Sequence, residues 1–259
     1  DWIRSGRKYK IYQVTYGDQL DIDAICFNEG VYATVTHAAS TPIIQQPSSI
    51  GSSFLMTAEI PLLDETTANH WSPRILGRQD PWPGGINYYI DDGSGGYDYN
   101  NRISVPGKIG EIVSDFGAGP LYIWDEYNEV TVRLYDDGNT ITSVTEDSVL
   151  NGQNTIAVQT PSGEWEMIQF VNAVLNGDGT YTLTKLLRGQ LGTEEYMGEP
   201  TVAGSRMFVV DRDRMTFLAG SASRLNIETE LRYGPSGYLV SDVRYQDVTI
   251  TPRGVAYRP

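Results

Sequence analysis

The chain has 259 residues, a formal net charge of −14, a sequence pI near 4.5 and 40% hydrophobic residues. That size suffices for one large domain or two ordinary ones, each with its own core, and so acidic a chain repels phosphate backbones, which argues against nucleic-acid binding. No apolar run approaches the ~20 residues of a membrane helix, and the opening DWIRSGRKYK has neither a starting Met nor the apolar stretch of a signal peptide, so the sequence reads as an excerpt of a longer polypeptide.

In chain order the elements read as short strands. KYKIYQVT (8–15), a Gly17-Asp18 turn and LDIDAICF (20–27) form a hairpin, preceded by a basic edge of Arg4, Arg7, Lys8 and Lys10. Cys26 alternates with Leu20, Ile22 and Ala24, which predicts a buried thiol, and as the sole cysteine it has no internal disulfide partner. Residues 38–53 are small, polar and Pro-containing, a linker or extended crossover. Residues 71–120 read as Gly-, Pro- and aromatic-rich loops between short strands, with YIDDGSGGYDY (89–99) as a hairpin tip.

EVTVRLY (129–135) places Val130, Val132 and Leu134 on one face and stops at Asp136-Asp137-Gly138-Asn139. NTIAVQT (154–160) and EWEMIQF (164–170) flank a Pro161-Ser162-Gly163 turn. VNAVL and TYTLTKLL flank Asn176-Gly177-Asp178-Gly179, a strong hairpin signal. MFVV (207–210), NIETELRY (226–233) and DVTI (247–250) complete the set. The class is all-β: two β-sandwich or barrel-like regions with long Gly/Pro-rich loops and little helix. The expected divisions are a fragment at 1–37, the linker 38–53, a first β-region at 54–125, a second at 126–218, and a tail, 219–259, whose strands return to pair with 8–36.

No catalytic constellation emerges. His37 and His70 are the only histidines, without neighbours at a zinc spacing or a nucleophile elbow. Glu164 and Glu166 flank Trp165 on a strand. Paired acids beside an aromatic suit glycoside hydrolysis, but ordinary alternation puts both glutamates in solvent and Trp165 in the core. The acids at 91–98 do not follow the calcium-loop template, and Gly117-Ala118-Gly119 lacks the third glycine of a dinucleotide fingerprint. No metal, cofactor or catalytic residue is therefore assigned. Trp71, Trp82, Tyr88, Tyr89, Tyr97 and Tyr99 are candidate surface or glycan contacts, or else the core of a loop-rich domain.

LLRGQLGTEEY (186–196) follows a strand directly. Gly189 and Gly192 allow sharp backbone angles, Arg188 can tie the loop to carbonyls or to Glu194 or Glu195, and Gln190 and Thr193 can bond local backbone. Leu187, Arg188, Gly189, Gln190, Gly192, Thr193 and Glu194 thus form a rigid structural corner. The run EWEMIQFVNAVLNGDGTYTLTKLLRGQLGTE (164–194) also resembles the C-terminal portion of the large tail hub or tip proteins of gene transfer agents and related siphophages. Leu191 stands where that family often has Arg. SVLNGQNTIAV (148–158), AGSRMFVVD (203–211), YQVTYGDQLDIDAICFNEGVY (12–32) and RGVAYRP (253–259) extend the resemblance in order, most strongly over 148–211 and weakly over 54–125. It implies a non-enzymatic virion component of the distal tail, homotrimeric in the particle. Its partners would be other hub or baseplate proteins and a host-surface glycan or receptor, with no membrane insertion. Members of that family often carry a TIM-barrel-like domain upstream, which in a full polypeptide that has one lies outside this sequence, since nothing here reads as an alternating β/α barrel.

Overall fold

A computed structural model of the chain describes residues 8–17, 19–27, 51–61, 73–135, 138–219 and 222–254. The all-β expectation is borne out. Contacts divide the chain into two compact units, Asp1–Pro47 and Ser48–Pro259.

In the first unit, β1 (Lys8–Tyr16) and β2 (Leu20–Phe27) form an antiparallel ribbon, offset by one residue between Ile11 and Gln13. Cys26 is exposed, against the expected burial. Alternation marks one face of a strand but does not by itself supply a covering layer.

The second unit stacks three layers. β3 (Phe54–Ala58) and β4 (Arg74–Arg78) pair with the short β13 (Thr216–Phe217) in one sheet. β5 (Ile86–Asp91) and β6 (Tyr97–Ile103) join β14 (Thr229–Pro235) and β15 (Gln246–Ile250) in a second, ordered β15-β14-β5-β6. The third layer is a closed barrel. Its strands are β7 (Ile109–Ile112), β8 (Asp125–Leu134), β9 (Thr155–Gln159), β10 (Trp165–Leu175), β11 (Tyr181–Leu187) and β12 (Arg206–Val209), ordered β10-β11-β8-β7-β12-β9. The one α-helix among the described residues, α1 (Glu146–Leu150), starts at Thr145, whose hydroxyl accepts the Ser148 N–H.

Period-2 alternation explains how the layers meet. Along β10, Ile168 and Phe170 enter the barrel with Val130, Val132, Ile156, Val158 and Leu183. Trp165 and Met167 point the other way, onto Met56 and Leu76 of the middle sheet with Ile109, Ala157 and Phe208. That sheet's opposite face carries Leu55 and Ile75 into a core with Ile86, Tyr88, Ile90 and Leu231. Lys185 sits at a bulge where the β11–β8 register slips between Thr184 and Leu186. The extra residue moves the inward series from Leu183 to Leu186.

Two expected divisions change. Residue 125 is no boundary, because β7, from the supposed first region, is a barrel stave between β8 and β12. Among the described residues the tail strands pair within the second unit, β14 having β5 on one edge and β15 on the other. Of the linker 38–53, only 51–53 are described. There the Ser53 hydroxyl donates to Gln79 at 2.6 Å, and the Gln79 amide donates to the Gly51 carbonyl at 2.7 Å.

Candidate functional site

The corner is built at one end of the barrel, where β10 and β11 deliver an acid and a base to the same buried spot. Arg188 Nε donates to Glu166 Oε1 at 2.7 Å, and Nη2 to Oε2 at 2.9 Å. Both side chains are 1% exposed. The bidentate geometry matches the fork of a guanidinium to a carboxylate. The Gly189 N–H adds a third bond to Glu166 Oε1 at 3.2 Å. Arg188 Nη1 donates to the Gly117 carbonyl at 2.9 Å, and the guanidinium lies 4.9 Å from the centre of the Phe116 ring.

This corrects two expectations. Glu166 lies inside with Trp165 rather than in solvent, because this part of β10 is buried on both faces. Arg188 meets the carbonyl half of its expectation at Gly117, while its carboxylate partner is Glu166, which the sequence reading did not propose. The acids of the EWE strand thus occupy separate places. Glu164 pairs with Arg253 at 2.8 Å and lines a cavity of about 260 Å³. Arg253 Nε also reaches Glu59 at 3.3 Å, and the Gly254 N–H donates to the same carboxylate at 3.1 Å.

The rest of the corner is a hydrogen-bonded knot. Leu187 is buried against Val149 and Val171. The Thr193 hydroxyl donates to the Gln190 carbonyl at 2.7 Å and accepts the Met167 N–H of β10 at 3.0 Å. The Gln190 amide donates to the Arg188 carbonyl at 2.9 Å. Gly189, Leu191 and Gly192 have φ of 58°, 59° and 79°. At Gly189 a Cβ would lie 2.7 Å from the Cα of Glu194, so both φ and space require glycine.

The loop Phe116-Gly117-Ala118-Gly119 completes the site and was missed as part of it. A Cβ on Gly119 would lie 2.4 Å from Asp125 Oδ2 and 3.1 Å from Arg188 Cγ. The available signal was the pair of glycines, which the sequence reading tested only against nucleotide binding.

The aromatic candidates do not form one open surface. Tyr88 is fully buried, which removes it from the contact set; its hydroxyl donates to the Phe217 carbonyl at 2.9 Å, and burial raises its pKa. Trp82 packs partly against the same core. Tyr97 donates to Glu230, the bond that chiefly raises its pKa, beneath the Arg232 guanidinium at 5.3 Å. Tyr89 lies edge-on to Tyr99 at 5.5 Å and to Tyr245 at 5.9 Å; the Tyr245 hydroxyl is pushed up to about 12, first by burial and then by Tyr89. Tyr99 is the exposed member, at 59%. Trp71, His37 and His70 lie outside the described residues.

The hairpin-tip acids serve the turn. Asp91 accepts the Gly93 N–H, while Asp92 accepts the N–H groups of Ser94 and Gly96 and the Ser94 hydroxyl. Among the described residues no group of three or more His, Cys, Asp or Glu comes together as a metal cluster, and no helix is long and apolar enough to cross a membrane.

A search of curated proteins returned no match. A family model described as Rcc01698-like, C-terminal, matches residues 107–208, less than half of the chain, a span running from just before β7 into β12 and containing the Glu166–Arg188 corner.

Proposed function

We propose that the chain is a structural section of the distal tail of a phage or gene-transfer-agent particle, assembling the tail hub or tip and presenting loops to the host surface. The observation that carries this reading is the family match over 107–208, a family associated with gene transfer agents. The barrel and its corner lie in that span, and the order of the sequence resemblance on either side supports it. In this reading the chain is a non-enzymatic scaffold, homotrimeric in the tail, contacting other hub or baseplate proteins. The buried ion pair, the paired Glu164 and the turn-bound Asp91 and Asp92 suit structural roles.

Cryo-electron microscopy of intact particles from the source tests the proposal. Three copies at the distal tail are expected. Particles with well-resolved tails that lack this chain overturn it. A receptor-contact role in the aromatic region rests on Tyr99 and its neighbour Tyr89, and Tyr99→Ala should then reduce particle adsorption to host cells without changing assembly.

A further inference from the structure

Leu121, Tyr122 and Ile123 follow one another in the loop that leads into β8, and all three side chains are exposed, Tyr122 at 81%. Tyr127, near the start of β8, is 98% exposed. Apolar residues scattered singly over a surface are ordinary, but a consecutive run of large ones left in water marks a contact surface. The sequence pattern did not single this loop out.

The loop is held out rather than left loose. At its base the Gly117 carbonyl accepts Arg188 Nη1 at 2.9 Å, and the Gly119 N–H donates to Met197 Sδ at 3.5 Å. At its far end Trp124 packs partly against Val149, Val171 and Leu187, with Lys185 Nζ 5.5 Å from the centre of its ring. Asp125 is buried and accepts the N–H groups of Tyr127 and Asn128 at 3.2 and 3.0 Å and the Asn128 amide at 2.7 Å. Between these anchors Tyr122 stands at a φ of 62°, uncommon for an aromatic residue and retained where the surroundings fix it. A fixed loop that displays a tyrosine between two aliphatic residues loses little entropy on being covered, as the anchors of protein interfaces do.

Charge chooses the occupant. Residues 115–129 hold Asp115, Asp125, Glu126 and Glu129 and no Lys or Arg. Lys185 lies between Glu126 at 3.7 Å and Glu146 at 2.5 Å, so two carboxylates leave that side net negative. Met197, which the loop touches at Gly119, belongs to the turn Glu194–Gly198, which brings Glu194 and Glu195. Glu129 shares the exposed face of β8 with Tyr127. A bilayer surface calls for Lys and Arg around the apolar residues, the opposite of this rim. Two copies meeting loop to loop would press like charges together. The remaining match is a protein surface with an apolar socket and a rim of Lys and Arg.

We propose that the 120–127 loop is a docking knob for another tail protein, which receives Leu121, Tyr122 and Ile123 in an apolar socket rimmed by Lys and Arg. The inference rests on the tail assignment for the source of that partner. Particles that lack the chain overturn both, whereas particles that contain it and fail the test below overturn this inference alone.

Photocross-linking in intact particles tests it, with p-benzoylphenylalanine in place of Ile123 and the joined peptides read by mass spectrometry. The expected product links position 123 to a different tail polypeptide, with Lys or Arg within a few residues of the attachment point. Tyr122→Gly, which accepts the positive φ, should lower the yield about tenfold with little change in the Tm of the free protein. The paired change Glu126→Lys and Glu129→Lys should lower it by a similar factor. The free 259-residue protein should not sediment with phosphatidylcholine vesicles, with or without phosphatidylglycerol. Four outcomes overturn the proposal: no cross-link forms in particles that hold the chain, the cross-link joins two copies of it, both variants cross-link normally, or the vesicles bind the protein.

Discussion

Arg188 and Glu166 are each nearly sealed from water, so each is a charge compensated chiefly by the other, with the Gly117 carbonyl, the Gly189 N–H and the buried Asp125 nearby. Truncating one leaves the other buried and uncompensated, which costs ~3–5 kcal/mol, whereas replacing both with apolar groups of similar volume can be close to neutral. Arg188→Met and Glu166→Met should therefore each lower unfolding free energy by that amount in urea titrations, and the double variant should recover most of the loss. Single variants losing less than ~1 kcal/mol would show that the pair tolerates separation. Backbone strain gives a second test. Gly189→Ala must adopt a φ of 58° with its Cβ driven towards Glu194, whereas Leu191→Gly relieves the same conformation two residues later at little loss of burial. The first should cost at least about 1–2 kcal/mol, and the second should stay within ~1 kcal/mol of the parent, read from thermal melts of both. A stable Gly189→Ala protein contradicts the geometry of the corner.

Each turn that closes a hairpin uses its own chemistry. In the β10–β11 turn, Asp178 accepts the hydroxyl and the N–H of Thr180, both of which hold its pKa below the ordinary 3.8; Asp92 at the β5–β6 tip is lowered in the same way by Ser94 and Gly96. A carboxylate whose folded pKa is depressed contributes its stabilisation fully above the unfolded value and loses it as pH falls through the folded value. Carbon-detected NMR titration should find both aspartates inflecting below 3.8, with faster exchange of the Thr180 amide only below that pH. Ordinary inflections would remove these bonds as contributors. The hairpins were legible in the sequence because a half-buried strand alternates and its turn carries Asn, Asp and Gly. β3, β4 and β7 were missed for the opposite reason. They are four or five residues long and buried on both faces, so FLMTA, RILGR and IGEI carry no polar beat. The same cause hid Glu166. Alternation assigns it to water, but β10 is a wall between the barrel interior and a second sheet, where both parities are inside. Its partner, 22 residues away, leaves no mark in local pattern.

At the scale of the second unit, the barrel lacks a complete covering of its own. Ile109, Ala157, Trp165, Met167 and Phe208 point out of it onto β3 and β4, and the middle sheet's other face packs onto the β5-β14 sheet. The span matched by the family model, 107–208, thus takes the barrel without its cover. Expressed alone, that fragment should keep strand content in the far ultraviolet but lose near-ultraviolet dichroism and bind ANS, as a loosely packed state does. Adding residues 48–106 and 209–254 should restore a cooperative melt. A sharp melt from 107–208 alone would mean that the middle sheet is dispensable. The layer scheme was also the least legible part of the molecule, because contacts such as Met56 and Leu76 with Trp165 and Phe208 join residues far apart in the chain.

Arg253 gives the second unit a mechanical property. Its guanidinium reaches Glu164 at the foot of the barrel wall and Glu59 just beyond β3, so tension applied from the carboxyl end meets two anchors in different layers before it loads β15. Without that fork, the pull would fall on an edge strand that can unzip from β14 one hydrogen bond at a time. With it, the same pull first meets a fork of ion pairs and the Gly254 N–H bond to Glu59, which tie the segment after β15 to two layers at once.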